Sequence, residues 1–184
     1  VGCDFAPYSA QSSFALEPLY LSLDRLKGAG IAPFLDQESA LKSLFPPSPR
    51  VDYGIKASKL ALLRKMFARA DLHAPAFRSF RDENAGWLRD YVLFMGLKGK
   101  YDQAPWERWD PPLRDRDAAA LEAFEEENEK ILQFQEWIQW QCAEQLREAH
   151  AACTARGVLL MGDLPFLVAR DSADVWTFRD VFKL

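Results

Sequence analysis

With 184 residues, 49% of them hydrophobic and 27% charged, the chain has ordinary globular composition: long enough to bury a core without staples and too apolar for wholesale disorder. A net charge of −4, with basic residues scattered among acids, excludes a concentrated cationic face for nucleic acid, and the lack of any run of about eighteen apolar residues excludes a membrane-spanning helix. Cys3, Cys142 and Cys153 are odd in number and show no CxxC spacing, which reads as reduced thiols of a cytoplasmic protein carrying no secretory leader.

The opening "VGCDFAPYSAQSSFAL" is already loop chemistry and the ending "DVFKL" has no tail, so both ends read as those of a segment of something longer. Tyr8 in this loop either packs its ring and exposes its hydroxyl or borders a ligand site. After the stiff lead-in "PPSPR", residues 51–70 carry Ile55, Leu62, Leu63, Met66, Phe67 and Ala70 at helical spacing and predict an amphipathic helix. Residues 83–98 repeat the pattern with Trp87, Leu88, Tyr91, Phe94 and Met95, and Gly99 between two lysines is the expected stop. Trp106 and Trp109 flank a proline-rich turn and read as clamps between helices, with sugar contact the alternative.

Residues 117–155 are helical in pattern almost throughout, too long for one globular helix, so a break is expected near "EEENEK". Beyond it Ile131, Phe134, Ile138 and Cys142 share one side, with Trp137 and Trp140 on another, so protein should cover both sides. The acidic run itself reads as a solvated face, and His73 and His150 are too isolated for a metal site or a catalytic dyad. With no GxGxxG, no phosphate loop and no Cys/His cluster, neither a cofactor nor a metal is implied.

"GVLLMGDLPFLV" after Gly157 reads as a buried strand. A helix, a glycine, a buried strand and polar residues at its end form one unit of an α/β barrel, in which the strand's C-terminal end faces the active site. Asp163 therefore either points into a site or caps a helix or turn. Asp171, Ser172 and Asp174 form an N-capping group, and Trp176 is either a stacking floor for sugar rings or a core anchor.

Four blocks, "APYSAQSSFALEPLYLSL", "WLRDYVLFMGLK" followed by "WERWDPPLR", "IQWQCAEQL" and "GDLPFLVARDSADVW", together resemble the 4-α-glucanotransferases, also called amylomaltases or disproportionating enzymes. The resemblance implies a mainly α segment with one or two strands, a fragment of a (β/α)8 barrel running from the loop after the first barrel strand to just past the second. It divides the chain into a loop-rich barrel segment at 1–50, a helical insertion at 51–156, and the second strand with its active-site loop at 157–184. The activity implied is retaining transfer among maltooligosaccharides and starch- or glycogen-derived chains, with nucleophile and acid/base outside this chain. By the same resemblance Asp163 orders the glucose subsite beside the cleaved bond and Tyr8 borders that subsite. "GDLPFLV" departs from the family in having Phe166-Leu167 where Ile-Phe is usual, which touches packing more than chemistry. Unpaired strand edges would let the segment self-associate. The other class left open is a non-catalytic helical module that binds glucan or another partner.

Overall fold

The computed structural model describes residues 9–26, 34–50, 52–163 and 167–183. These residues are mainly helical: α1 (Leu35–Leu44), α2 (Ile55–Phe67), α3 (Pro75–Glu83), α4 (Ala85–Lys100), α5 (Pro111–Arg114), α6 (Ala118–Thr154) and α7 (Ala173–Thr177), with short 3₁₀ turns between them. No helix among them is long and apolar enough to cross a membrane. The chain divides into two compact units, each assembled from distant stretches: residues 1–15, 83–136 and 162–184 in the first, and 16–82 and 137–161 in the second.

In the first unit α4 supplies the densest apolar face, with Leu93, Phe94 and Leu97 fully buried. The helix runs through Gly99 to Lys100, so the expected glycine stop is not used. The reversal falls instead on Asp102 and Gln103, both in left-handed backbone at φ 49 and 65, with the Gln103 N–H donating to Lys98 O at 2.8 Å. Gly96 has a different task. A Cβ there would lie 2.8 Å from Leu132 Cδ2 and 3.2 Å from the Phe124 ring, so its missing side chain lets α4 and α6 approach closely.

The expected break in the long helix is at Asn128, whose φ of −116 and ψ of 18 are not helical. Its side-chain amide donates to Phe124 O at 2.9 Å, a bond that competes with the helical ladder, and the neighbouring glutamates add like-charge repulsion. Trp137, Ile138 and Trp140 beyond the bend are buried as expected, whereas Ile131 is half exposed. α6 ends in a left-handed Gly157 at φ 71, and the Val158 N–H reaches back to Cys153 O at 3.0 Å.

The second unit packs α1 and the 3₁₀ turn at Pro18–Tyr20 against α2, where Lys59 Nζ donates to Leu19 O at 2.6 Å. Its residues 16–22 have no strand partner. Two glutamines on α6 take that part: Gln139 accepts from Leu16 N and donates to Leu16 O (2.8 and 2.9 Å), and Gln145 does the same for Ser22 (2.8 Å each). Each side-chain amide satisfies both polar groups of one backbone residue, as a neighbouring strand would.

The strand expected at 157–168 is the main correction. Its described residues have no regular structure, and Leu159, Met161 and Leu167 are 90%, 97% and 82% exposed. A parallel barrel strand takes its stability from ladders on both edges and cover on both faces, and no other described residue is in a strand. The apolar run has nothing here to pair with.

The two α4 glycines give a paired test of this packing. Replacing Gly99, where a Cβ meets open space, by alanine should raise the unfolding free energy by about 0.5–1 kcal/mol in urea titrations. Gly96→Ala should instead cost about 1–3 kcal/mol through overpacking against Leu132 and Phe124. Equal effects at the two positions would contradict the close approach of the helices.

Candidate functional site

The segment at 167–183 is organised around α7. Five residues cannot sustain a helix alone, so α7 depends on its cap and its anchors. Ser172, in extended backbone, is the N-cap and accepts from Val175 N at 3.2 Å, while Asp174 lies in the first turn, where a negative charge suits the helix dipole. Of the three residues expected to form the capping group, Ser172 is therefore the cap, and the other two bind elsewhere. Asp174 Oδ2 accepts from Ser13 N at 2.8 Å, and the Ala173 N–H donates to Gln11 O at 2.8 Å. These bonds join the opening loop to the segment that follows Asp163, and Ser12 Oγ stiffens the loop by accepting from Phe14 N and Ala15 N.

Trp176 is fully buried. Its ring lies 6.1 and 5.6 Å from those of Phe94 and Trp109, the Arg116 guanidinium sits 4.3 Å above it, and its indole N–H is shared between Leu113 O and Arg114 O. It is a core anchor with no face left for a sugar, which corrects the stacking-floor alternative. Trp106 and Trp109 are buried as well, consistent with clamps. Next to them Lys98, 2% exposed, binds Asp171 Oδ2 at 2.6 Å. Arg114 and Arg179 together hold the Asp115 carboxyl well below the usual carboxylate range.

Asp163 is exposed, and among the described residues no group partners its carboxylate. It does not cap α7. Tyr8 and Cys3 lie outside the described residues, but the loop continuing from Tyr8 is the one tied to α7 at Gln11 and Ser13. No group of three or more His, Cys, Asp or Glu among the described residues is placed to hold a metal ion.

The second unit carries a groove of about 440 Å³ lined largely by apolar side chains, among them Leu16, Tyr20, Leu21, Cys142, Leu146 and Ala149. Burial pushes the Cys142 thiol up to about 12, with Glu17 acting in the same direction and Lys59 opposing. Burial likewise lowers the pKa of Lys59. Gln139, Gln145 and the Lys98 cluster escape sequence reasoning, although the glutamines belong to the "IQWQCAEQL" block and Lys98 to "MGLK". Polar residues set within otherwise apolar helical stripes are the signal that would have marked them.

The family model described as 4-alpha-glucanotransferase matches residues 2–184. The 4-alpha-glucanotransferase of Thermus thermophilus is 35% identical over 185 residues, covering 97% of this chain and 36% of its own length. That of Synechocystis sp. is 34% identical over 189 residues with the same coverage of both chains. Among solved structures, an amylomaltase from Streptococcus agalactiae in complex with acarbose superposes with a TM-score of 0.84 at 24% identity, over 97% of this chain and 37% of that one. The chain thus spans about a third of the length of these relatives.

Cysteine chemistry checks the second unit's packing. A water-soluble maleimide at about pH 8 should label half-buried Cys153 in the folded protein and reach Cys142 only on unfolding. Because the folded thiol keeps its proton while the unfolded one releases it, the contribution of Cys142 to stability is complete below pH 9.0 and lost as pH rises toward 12. Cys142→Ala should therefore show a shallower alkaline fall in unfolding free energy than the parent chain. An identical fall, or rapid native labelling of Cys142, would contradict its burial.

Proposed function

The chain belongs to the 4-alpha-glucanotransferase family, and from that premise we propose that it is the segment of such an enzyme that orders the glucose ring beside the α-1,4 bond being transferred. The substrates are maltooligosaccharides and starch- or glycogen-derived chains. Transfer proceeds with retention through a glycosyl-enzyme intermediate, for which a carboxylate nucleophile and a carboxylic acid stand about 5–5.5 Å apart. Both of those groups lie outside this chain, and no residue of it is assigned a bond-breaking role.

In the assembled enzyme the apolar run that starts at Gly157 forms a barrel strand ending at Asp163, the position from which barrel strands present active groups. The exposure of Leu159 and Met161 supports this assignment, because an uncovered apolar run fits burial against neighbouring strands. In the isolated chain the same run favours self-association. The observation that carries the reading is the pair of bonds from Ala173 N to Gln11 O and from Ser13 N to Asp174 Oδ2. They tie together the loop that follows Tyr8 and the segment that follows Asp163, the two stretches to which the site is assigned. Asp163 accepts hydrogen bonds from glucose hydroxyls, bonds that tighten as the ring flattens toward an oxocarbenium-like state. Tyr8 borders the same ring.

The chain alone, incubated with maltotriose, should release neither glucose nor longer oligomers, since positioning without nucleophile and acid supplies no chemical step. In the complete transferase Asp163→Asn keeps shape while removing charge. It should lower kcat by about thirty- to a thousand-fold, equivalent to about 2–4 kcal/mol, with little change in Tm. A lowered Tm with unchanged kcat would assign the carboxylate to local structure instead.

A further inference from the structure

Lys98 lies in the last turn of α4 with 2% of its surface exposed. A buried ammonium is tolerated only when all three of its protons find acceptors, and here they do: Asp171 Oδ2 at 2.6 Å, Gln103 O at 2.8 Å and Ala104 O at 3.1 Å. The two carbonyls belong to the turn in which Asp102 and Gln103 hold left-handed backbone. One ammonium therefore fastens a constrained turn and the Asp171 carboxylate together. Around it the contact is reinforced. Asp171 Oδ1 accepts from Trp106 N at 3.2 Å, Trp106 Nε1 donates to Arg170 O at 2.8 Å, and Arg170 pairs with Glu107 at 2.6 Å.

This clip fixes residues 170 and 171, downstream of Asp163 on the same segment. With the ammonium buried and the Asp171 side chain still 38% exposed, the pair is a poor device for stability alone, since a half-solvated carboxylate returns little for a desolvated ammonium and apolar residues of similar volume often do as well. What directed, charge-assisted bonds add over apolar contact is a single register. We propose that Lys98 is a positioning residue for Asp163: through Asp171 it sets the register of the segment on which Asp163 reaches the substrate. The proposal rests on the reading of Asp163 as a subsite carboxylate.

The test combines kinetics of the complete transferase on maltotriose with amide exchange of the chain described here. Lys98→Met should lower kcat by about a hundredfold, the scale expected when a substrate-ordering group is misplaced by about an ångström. In the Asp163→Asn background the same change should cost nothing further, because the group being positioned is already lost. In the chain, Lys98→Met should speed exchange at the Trp106 amide and across 172–176 while leaving the amides of Leu121–Phe124 unchanged. Because Lys98→Met leaves the part-exposed Asp171 carboxylate without its cation, Lys98→Met/Asp171→Leu is measured beside it. It should regain Tm but not turnover. Recovery of turnover along with Tm, or losses that multiply in the Asp163→Asn background, would overturn the positioning role and leave the Asp163 reading intact. An Asp163→Asn enzyme with full activity would overturn that reading and this proposal with it.

Discussion

Burial of Trp176 is the constraint on which the order of the first unit depends. α7 has too few residues to be helical on its own, and its indole supplies what its length does not. The ring is enclosed by Phe94, Trp109 and Arg116, and the N–H bridges two carbonyls at the end of α5. Removing a buried aromatic of this kind costs about 3–5 kcal/mol, a large share of what keeps a domain folded. With Trp176 in place the α7 backbone is fixed, and Ala173 and Asp174 are then positioned to hold Gln11 and Ser13. Order therefore passes from an aromatic core to the two loops assigned to the substrate. On the proposed reading function lies in loops, and their geometry is set by a buried tryptophan.

The second unit meets a different constraint, that of irregular backbone lying beside a helix on either side of the 3₁₀ turn at Pro18–Tyr20. A helix offers no free ladder of N–H and C=O groups, so the part-buried polar atoms of Leu16 and Ser22 would be left unmatched. Gln139 and Gln145 resolve this by presenting a paired donor and acceptor to Leu16 and Ser22. Replacement of either by glutamate would keep the acceptor and lose the donor, so the amide and not merely its size is what the position requires.

Helices whose apolar residues recur at regular spacing were legible in the sequence: α2, α4 and α6 follow from their stripes, and the bend in α6 follows from an asparagine among glutamates. α1 and α3, ten and nine residues long, give too short a pattern to read from sequence. The features that depend on distant partners were not legible either. Gly99 looked like a stop because glycine commonly is one, whereas the reversal was placed on Asp102 and Gln103 by hydrogen bonds that involve Lys98. Lys98 itself, between Leu97 and Gly99, reads locally as a solvated end charge, and Asp171 reads as a cap. Only the fold brings them to 2.6 Å. The run from Gly157 to Val168 has the composition of a strand, yet a strand is defined by its neighbours, and the described residues offer none. For the site, the family blocks indicated Asp163 and Tyr8, while local pattern favoured a cap for Asp163 and left core and sugar equally open for Trp176.

The bond between the two loops is the most direct test of this account, and trans-hydrogen-bond scalar coupling in solution reads it without perturbing the protein. A resolved coupling between the Ala173 amide nitrogen and the Gln11 carbonyl carbon, together with slow exchange of the Ala173 N–H, is the predicted result. A rapidly exchanging Ala173 amide with no coupling to Gln11 would mean that α7 does not hold the opening loop, and would remove the observation on which the assignment of the site rests.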